Sequence, residues 1–157
     1  MTEQARIRRL QDTLTIAGSA VIAFSIWSLA KIGMFLAFAS EDTLSLLLGL
    51  DAESLTIATY VSLIAIAVID VSVRSYVGMS ARAEGRGAKK GLLYLVVAAV
   101  VALANASSLV AIALSTSFTL SPLSMIVPVA IEATAIAAMV LVIRSSIRLR
   151  RASDTAE

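Results

Sequence analysis

The sequence contains no cysteine and no histidine, and only 15% of its 157 residues are charged. Without cysteine the chain has no disulfide, no thiolate nucleophile and no thiolate metal ligand. Without histidine it lacks the commonest general base and the commonest metal ligand. Carboxylates, lysines, hydroxyls and three tyrosines remain for chemistry. Most enzyme mechanisms are therefore disfavoured, and neither a metal site nor a cofactor is expected.

Hydrophobic residues make up 59% of the chain, and the mean hydropathy is +0.91. A soluble domain usually carries about 25% charged residues. The apolar residues form four runs of about 20 residues or more, each long enough to cross about 30 Å of hydrocarbon. The predicted spans are approximately 14–39, 55–76, 92–115 and 122–143. The sequence therefore predicts an all-α integral membrane protein, with residues 1–157 forming one antiparallel four-helix domain.

The basic residues are distributed unevenly between the connections. If four spans alternate in direction, twelve of the thirteen Lys and Arg residues fall on one side of the membrane. The opposite side carries acidic residues instead, among them Glu41, Asp42, Asp51 and Glu53. The positive-inside rule then predicts that both termini are cytoplasmic, in a multi-pass protein of the plasma membrane.

Two features concern the outer end of the first span. Ala37, Phe38 and Ala39 before Ser40 match the small-residue pattern of a signal-peptide cleavage site. The apolar run of about 26 residues greatly exceeds the usual signal core of about 7–15 residues, which favours an uncleaved span. In the outer connection at 40–53, Ser40 is a candidate N-cap for a short, leucine-rich interfacial helix.

The connection between the second and third spans, GMSARAEGRGAKKG at 78–91, is rich in glycine and basic residues. The glycines predict a flexible loop. Because the GxxxxGK[ST] phosphate-loop pattern is absent, attraction to anionic lipid headgroups is favoured over nucleotide or nucleic-acid binding. The basic tail at 144–157 is interpreted in the same way, and it also has the sequence to extend the fourth span as a helix. The predicted headgroup residues are Arg82, Arg86, Lys89, Lys90, Arg148, Arg150 and Arg151.

Strongly polar side chains inside the spans are candidate functional residues, because an ionisable group at mid-helix costs about 2.5–3.5 kcal/mol to insert. Asp70 and Arg74 are four residues apart in the order that favours a helical ion pair. They are predicted to form such a pair or to act as an inner proton relay. Asn105 is interpreted as an interhelical hydrogen-bonding residue. Lys31 either extends to the outer headgroups or has a partner inside the bundle.

Glu132 is the strongest candidate, because it lies at the centre of the fourth span. Only Pro128 and Ile136 lie four residues away, so its own helix offers no partner at that spacing. Pro128 removes a backbone hydrogen bond and predicts a kink one turn before the carboxylate. Helical rise places Asn105 within about 3 Å of Glu132 in depth. The predicted ion, proton or partner site consists of Glu132, Asn105, Lys31 and Thr134.

Small residues recur every four positions in the third and fourth spans, for example at Ala98, Ala102 and Ala106. Such rows let helices approach closely within lipid. Because they occur on more than one helix face, they predict a homo-oligomer or a complex with a larger membrane partner.

Two functional hypotheses follow. The first is an oligomeric module for proton- or cation-coupled transport or conduction, centred on the carboxylate at mid-membrane. The second is an accessory or assembly subunit, in which the polar residues and small-residue faces bind a larger membrane partner. An intramembrane enzyme acting on lipid headgroups through Asp70 is disfavoured by the missing catalytic residues.

Overall fold

The computed structural model of the protein describes residues 3–38, 57–114 and 122–154. These residues form four helices: α1 (Glu3–Phe38), α2 (Ile57–Gly85), α3 (Leu93–Leu114) and α4 (Pro122–Asp154). Each helix is long and apolar enough to cross a membrane. The prediction of an all-helical chain with four membrane-span-like helices is therefore confirmed. The predicted outer helix at 40–53 lies outside the described residues.

Three helices are longer than the apolar runs that predicted them. Helix α1 begins at Glu3, α2 continues to Gly85, and α4 continues through the basic tail to Asp154. The added segments contain charged residues but no proline, so the helical backbone continues where the hydrophobic pattern stops. The prediction of a flexible loop from residue 78 is wrong over 78–85, because those residues form the last turns of α2.

Helices α1 and α2 run antiparallel and cross closely at two glycines. A Cβ atom added to Gly18 would lie 2.7 Å from the carbonyl oxygen of Gly78, and one added to Gly78 would lie 2.6 Å from the side chain of Ile22. Backbones can approach this closely only where no side chain separates them. Further along the same interface, the hydroxyl oxygens of Ser25 and Ser75 lie 3.1 Å apart and share a hydrogen bond.

The other helices complete a bundle in which neighbours are antiparallel. Helix α1 also packs against α4, and α3 packs against both α2 and α4. Helices α2 and α4 run in the same direction and make few contacts with each other. The largest fully buried side chains include Tyr94, Leu14, Met139, Val21 and Val77. They fill the interior between all four helices.

The outer surface of the bundle is strongly apolar. Leu103 is 71% exposed, Ile66 is 64% exposed and Val100 is 60% exposed, and many other large aliphatic side chains share this surface. Soluble monomers rarely expose contiguous apolar patches of this kind. The surface is compatible with a multi-pass membrane protein, because the hydrocarbon of the bilayer would cover it.

The start of α1, the connection at 86–92 and the end of α4 lie together at one end of the bundle. We call this the basic end. On which side of the membrane it lies stays a prediction from the positive-inside rule. Its basic residues are Arg6, Arg8, Arg9, Arg82, Arg86, Lys89, Lys90, Arg144, Arg148, Arg150 and Arg151.

Candidate functional site

Asp70 and Arg74 form an ion pair one helical turn apart on α2. The Arg74 Nε atom lies 2.8 Å from Asp70 Oδ2 and 2.9 Å from Asp70 Oδ1. The Arg74 side chain is 7% exposed, whereas that of Asp70 is 33% exposed. Arg74 is thus held inside the bundle by the carboxylate, while Asp70 keeps part of its surface open. A relay role for Asp70 stays a prediction.

Asn105 connects this ion pair to α3. Arg74 Nη2 donates a hydrogen bond of 3.1 Å to Asn105 Oδ1, which fixes the orientation of the amide. The Asn105 Nδ2 atom is buried and has no hydrogen-bond partner within the described part of the chain. An unsatisfied buried donor costs about 1–3 kcal/mol. Asn105 therefore joins two helices, as predicted for an interhelical residue, and also presents an unused donor in the interior.

Glu132 lies on α4 and is partly buried. A hydrogen bond of 3.0 Å between Glu84 and Ser146 sets the register of the parallel helices α2 and α4. Asp70 precedes Glu84 by 14 residues, and Glu132 precedes Ser146 by 14 residues. At 1.5 Å per residue, both carboxylates lie about 21 Å from that hydrogen bond along the bundle.

Asn105 accepts its hydrogen bond from Arg74, which lies one turn, or about 6 Å, from Asp70 toward the basic end. The predicted depth difference of about 3 Å between Asn105 and Glu132 stays a prediction. We call Asp70, Arg74, Asn105 and Glu132 the midspan layer. Three helices contribute to this layer, and helical rise places its two carboxylates at similar depth.

The other predicted members of the Glu132 site are placed differently. Thr134 is exposed on α4, and its hydroxyl donates to the carbonyl oxygen of Ala130 at 2.7 Å, within the same helix. Lys31 belongs to α1, but its side chain lies outside the described residues. Helix α4 continues through Pro128, so this proline does not end it, and a kink there stays a prediction.

A second polar cluster occupies the basic end, centred on the carboxylate of Glu84. Arg150 donates from Nε to Glu84 Oε1 at 2.8 Å and from Nη2 to Oε2 at 3.0 Å. Ser146 Oγ donates to Oε1 at 3.0 Å, and the Tyr94 hydroxyl donates to Oε2. Glu84 and Ser146 are buried, as is Tyr94. We call these four residues the basic-end network; it connects α2, α3 and α4.

Arg150 also stabilises the connection between α2 and α3. Its Nη2 atom donates to the carbonyl oxygens of Lys90 at 2.8 Å and Gly91 at 3.3 Å. Arg150 was predicted to contact lipid headgroups, but the structure gives its guanidinium partners inside the protein. The physical reason is that α4 remains helical beyond its apolar part, which brings Arg150 beside Glu84 and one turn from Ser146.

Glu84, Tyr94 and Ser146 were not predicted as site residues from the sequence. One signal was present: Glu84 is the only acidic residue in the basic segment 78–91. A lone carboxylate among cations is a natural partner for one of them. Which cation it would bind depends on contacts across 66 residues of sequence, which spacing along the chain does not reveal.

The remaining predicted headgroup residues differ in how exposed their side chains are. Arg86, Lys89, Lys90, Arg148 and Arg151 are exposed at the basic end, where headgroups would be accessible. Arg82 is instead partly buried against α1, because its Cγ atom would lie 3.1 Å from a Cβ atom added to Gly18. Its Nε atom is buried without a hydrogen-bond partner in the described segments.

A cleft of about 520 Å³ opens beside the basic-end network. The residues that line it are Gln11, Glu84, Gly87, Ala88, Lys89, Lys90, Leu149, Arg150 and Ser153. Among the described residues there is no group of three or more acidic side chains able to hold a metal ion.

Comparison with protein-family models, with curated proteins and with solved structures found no match to the chain. Its function is therefore argued from its own geometry.

Proposed function

We propose that this protein is a small multi-pass membrane module for proton- or cation-coupled transport or conduction, with no enzymatic activity. Glu132 is the proton or cation site, and Asp70 is the relay group that exchanges the proton or cation with it. The midspan layer supports this proposal most, because helical rise counted from the Glu84–Ser146 hydrogen bond places Glu132 and Asp70 at similar depth on two parallel helices.

Intramembrane carboxylates suit this role because they can gain and lose charge in place. Glu132 and Asp70 are both partly buried, so neither is sealed in the protein interior. The positive charge of Arg74 lies against Asp70, and the Asn105 amide is tied to Arg74. A cation or proton leaving Glu132 would thus meet a second carboxylate at similar depth, beside a fixed counter-charge.

The basic-end network provides a second set of polar groups, nearer the basic end than the midspan layer. Glu84 lies about 21 Å from Asp70 along α2, with the cleft at its side. Helices α2 and α4 contribute the carboxylates of the midspan layer, and both also reach this network. We infer that ions or protons enter or leave at the basic end, while the apolar outer surface faces lipid.

A second candidate function is supported by a different observation on α4. Next to Glu132, the small residues Ala130, Ala133, Thr134 and Ala137 are exposed. Small exposed residues on a membrane helix allow another helix to approach closely. In this alternative the protein is an accessory or assembly subunit, and this face of α4 contacts a larger membrane partner or a second copy.

The transport proposal is tested with the full-length protein in liposomes containing a trapped pH-sensitive or cation-sensitive dye. We expect an imposed gradient to drive flux through the wild-type protein and Glu132→Gln to abolish it. Asp12→Asn is the matched control, because it makes the same carboxylate-to-amide change at an exposed position near the start of α1. That variant should retain flux.

The two functions give opposite results in a pair of measurements. Absence of flux from the wild-type protein, together with co-purification of a second membrane protein, would replace the transport proposal with the assembly proposal. Flux that is equal in the wild-type and Glu132→Gln proteins would remove Glu132 from the mechanism.

A further inference from the structure

The cleft at the basic end has a strongly positive lining. Lys89, Lys90 and Arg150 contribute three cations, whereas Glu84 is the only acidic residue among the described residues of the lining. Both oxygens of Glu84 already accept hydrogen bonds from Arg150. Within the described segments neither lysine forms an ion pair. Arg150 therefore neutralises the charge of Glu84, and the ammonium groups of Lys89 and Lys90 have no acidic partner in the described segments.

The backbone that carries these lysines is held in place at both ends. At the end of α2, the Gly87 N–H donates to the Glu84 carbonyl at 2.9 Å, and the Ala88 N–H donates to the Ala83 carbonyl at 3.0 Å. With Gly87 at a φ of 93°, these bonds form a Schellman motif, a standard helix C-terminus. At the other end, Arg150 binds the carbonyl oxygens of Lys90 and Gly91.

Because its backbone is held at both ends, the segment that carries the two lysines differs from an ordinary flexible basic loop. A flexible loop attracts anions only by its net charge, and each bound anion must first order the chain. Here the loop is fixed before any ligand arrives. The backbone positions of the lysines are therefore defined around a concavity that Gln11 and Ser153 also line.

We propose that this cleft is a specific binding site for a phosphate-bearing group. Lysine ammonium groups are compact point charges that bind phosphate oxygens well. The Gln11 amide offers an uncharged donor, and Leu149 supplies an apolar wall. The volume of about 520 Å³ accommodates more than a single phosphate ion. The ligand is a phosphate monoester or diester, carried either by a lipid headgroup or by a soluble compound.

The test measures binding to the full-length protein in nonionic detergent by isothermal titration calorimetry. Two probes are titrated separately: inorganic phosphate, and dihexanoyl phosphatidic acid below its critical micelle concentration. We expect saturable binding of at least one probe. Binding of phosphatidic acid alone assigns the site to a lipid headgroup, and binding of both assigns it to the phosphate group itself. Binding of neither probe would overturn the proposal.

Matched variants separate a built site from diffuse surface charge. The double variant Lys89→Gln with Lys90→Gln should weaken binding about thirtyfold, since each lysine near a charged ligand contributes roughly a fivefold effect. Removing two exposed charges elsewhere on the basic end, by Arg6→Gln with Arg144→Gln, should change affinity less than about threefold. Equal losses in the two double variants would contradict the proposal.

A third variant changes the loop without changing its charge. Gly87→Ala strains the left-handed position of the Schellman motif and should weaken binding at least threefold. Gly91→Ala is its control, because nothing lies within 4 Å of the added Cβ atom and its φ is ordinary. Unchanged binding by Gly87→Ala would show that only net charge matters. The Glu132→Gln variant should bind like the wild-type protein, so this proposal and the transport proposal fail separately.

Discussion

The buried contact between Glu84 and Arg150 provides a prediction whose size follows from the structure. Removing one partner of a buried ion pair costs about 3–5 kcal/mol, because the other charge is left without compensation. The two partners differ in exposure: the Arg150 side chain is 28% exposed, and that of Glu84 is 7% exposed. The cost should therefore depend on which partner is removed.

Glu84→Gln leaves a guanidinium that can recover part of its hydration, so we expect it to destabilise the protein by about 2 kcal/mol. Among the described residues, Arg150→Met leaves the buried carboxylate with donors only from Tyr94 and Ser146. We expect this variant to cost about 3 kcal/mol. The double variant removes both charges and should cost about 1–2 kcal/mol less than the sum of the single variants.

The assay is unfolding in mixed micelles, with helical content followed by circular dichroism as sodium dodecyl sulfate is added. The free energies of unfolding of the wild-type protein, the two single variants and the double variant complete the cycle. Strict additivity would show that the two residues do not stabilise each other. A larger loss for Glu84→Gln than for Arg150→Met would refute the argument from exposure.

Three further predictions concern other contacts. Gly78→Ala should destabilise the protein by about 1–3 kcal/mol in the same assay, because the added Cβ atom would overlap α1. Gly33→Ala is the control: its Cβ atom would enter open space, so this variant should be neutral or slightly stabilising. Equal effects of the two substitutions would refute the close crossing of α1 and α2. Asn105→Leu should cost about 1–3 kcal/mol by removing an acceptor from buried Arg74, and an unchanged unfolding free energy would contradict this. Gly87→Ala should cost about 1 kcal/mol through backbone strain, and a stabilised variant would argue against the assigned turn.

The four helices could be predicted because a bilayer requires long apolar segments, and these are visible in the sequence. The ends of the helices could not be predicted, because hydropathy indicates how much of a segment lies inside hydrocarbon and not where the helix begins and ends. The first eleven residues of α1 and the last eleven of α4 are helical although they carry many charges. The Asp70–Arg74 pair was predictable for a different reason, because its partners are one turn apart on a single helix.

Contacts between helices could not be predicted from the spacing of residues along the sequence. Asn105 was expected to join helices, but its link to Arg74 depends on the register of α3 against α2. The basic-end network depends in the same way on the register of three helices. Arg150 illustrates the consequence: its sequence neighbours suggested a headgroup contact, whereas its spatial neighbour Glu84 gives it a partner inside the bundle.

The measurement that tests the central proposal most directly is the initial rate of flux into liposomes containing Glu132→Gln, compared with wild-type protein at equal protein-to-lipid ratio. Circular dichroism first establishes that both proteins have the same helical content. Transport through the midspan layer predicts a rate for Glu132→Gln below about a tenth of the wild-type rate, as expected when a mechanism loses its ionisable group. Equal rates for the two proteins would contradict the account.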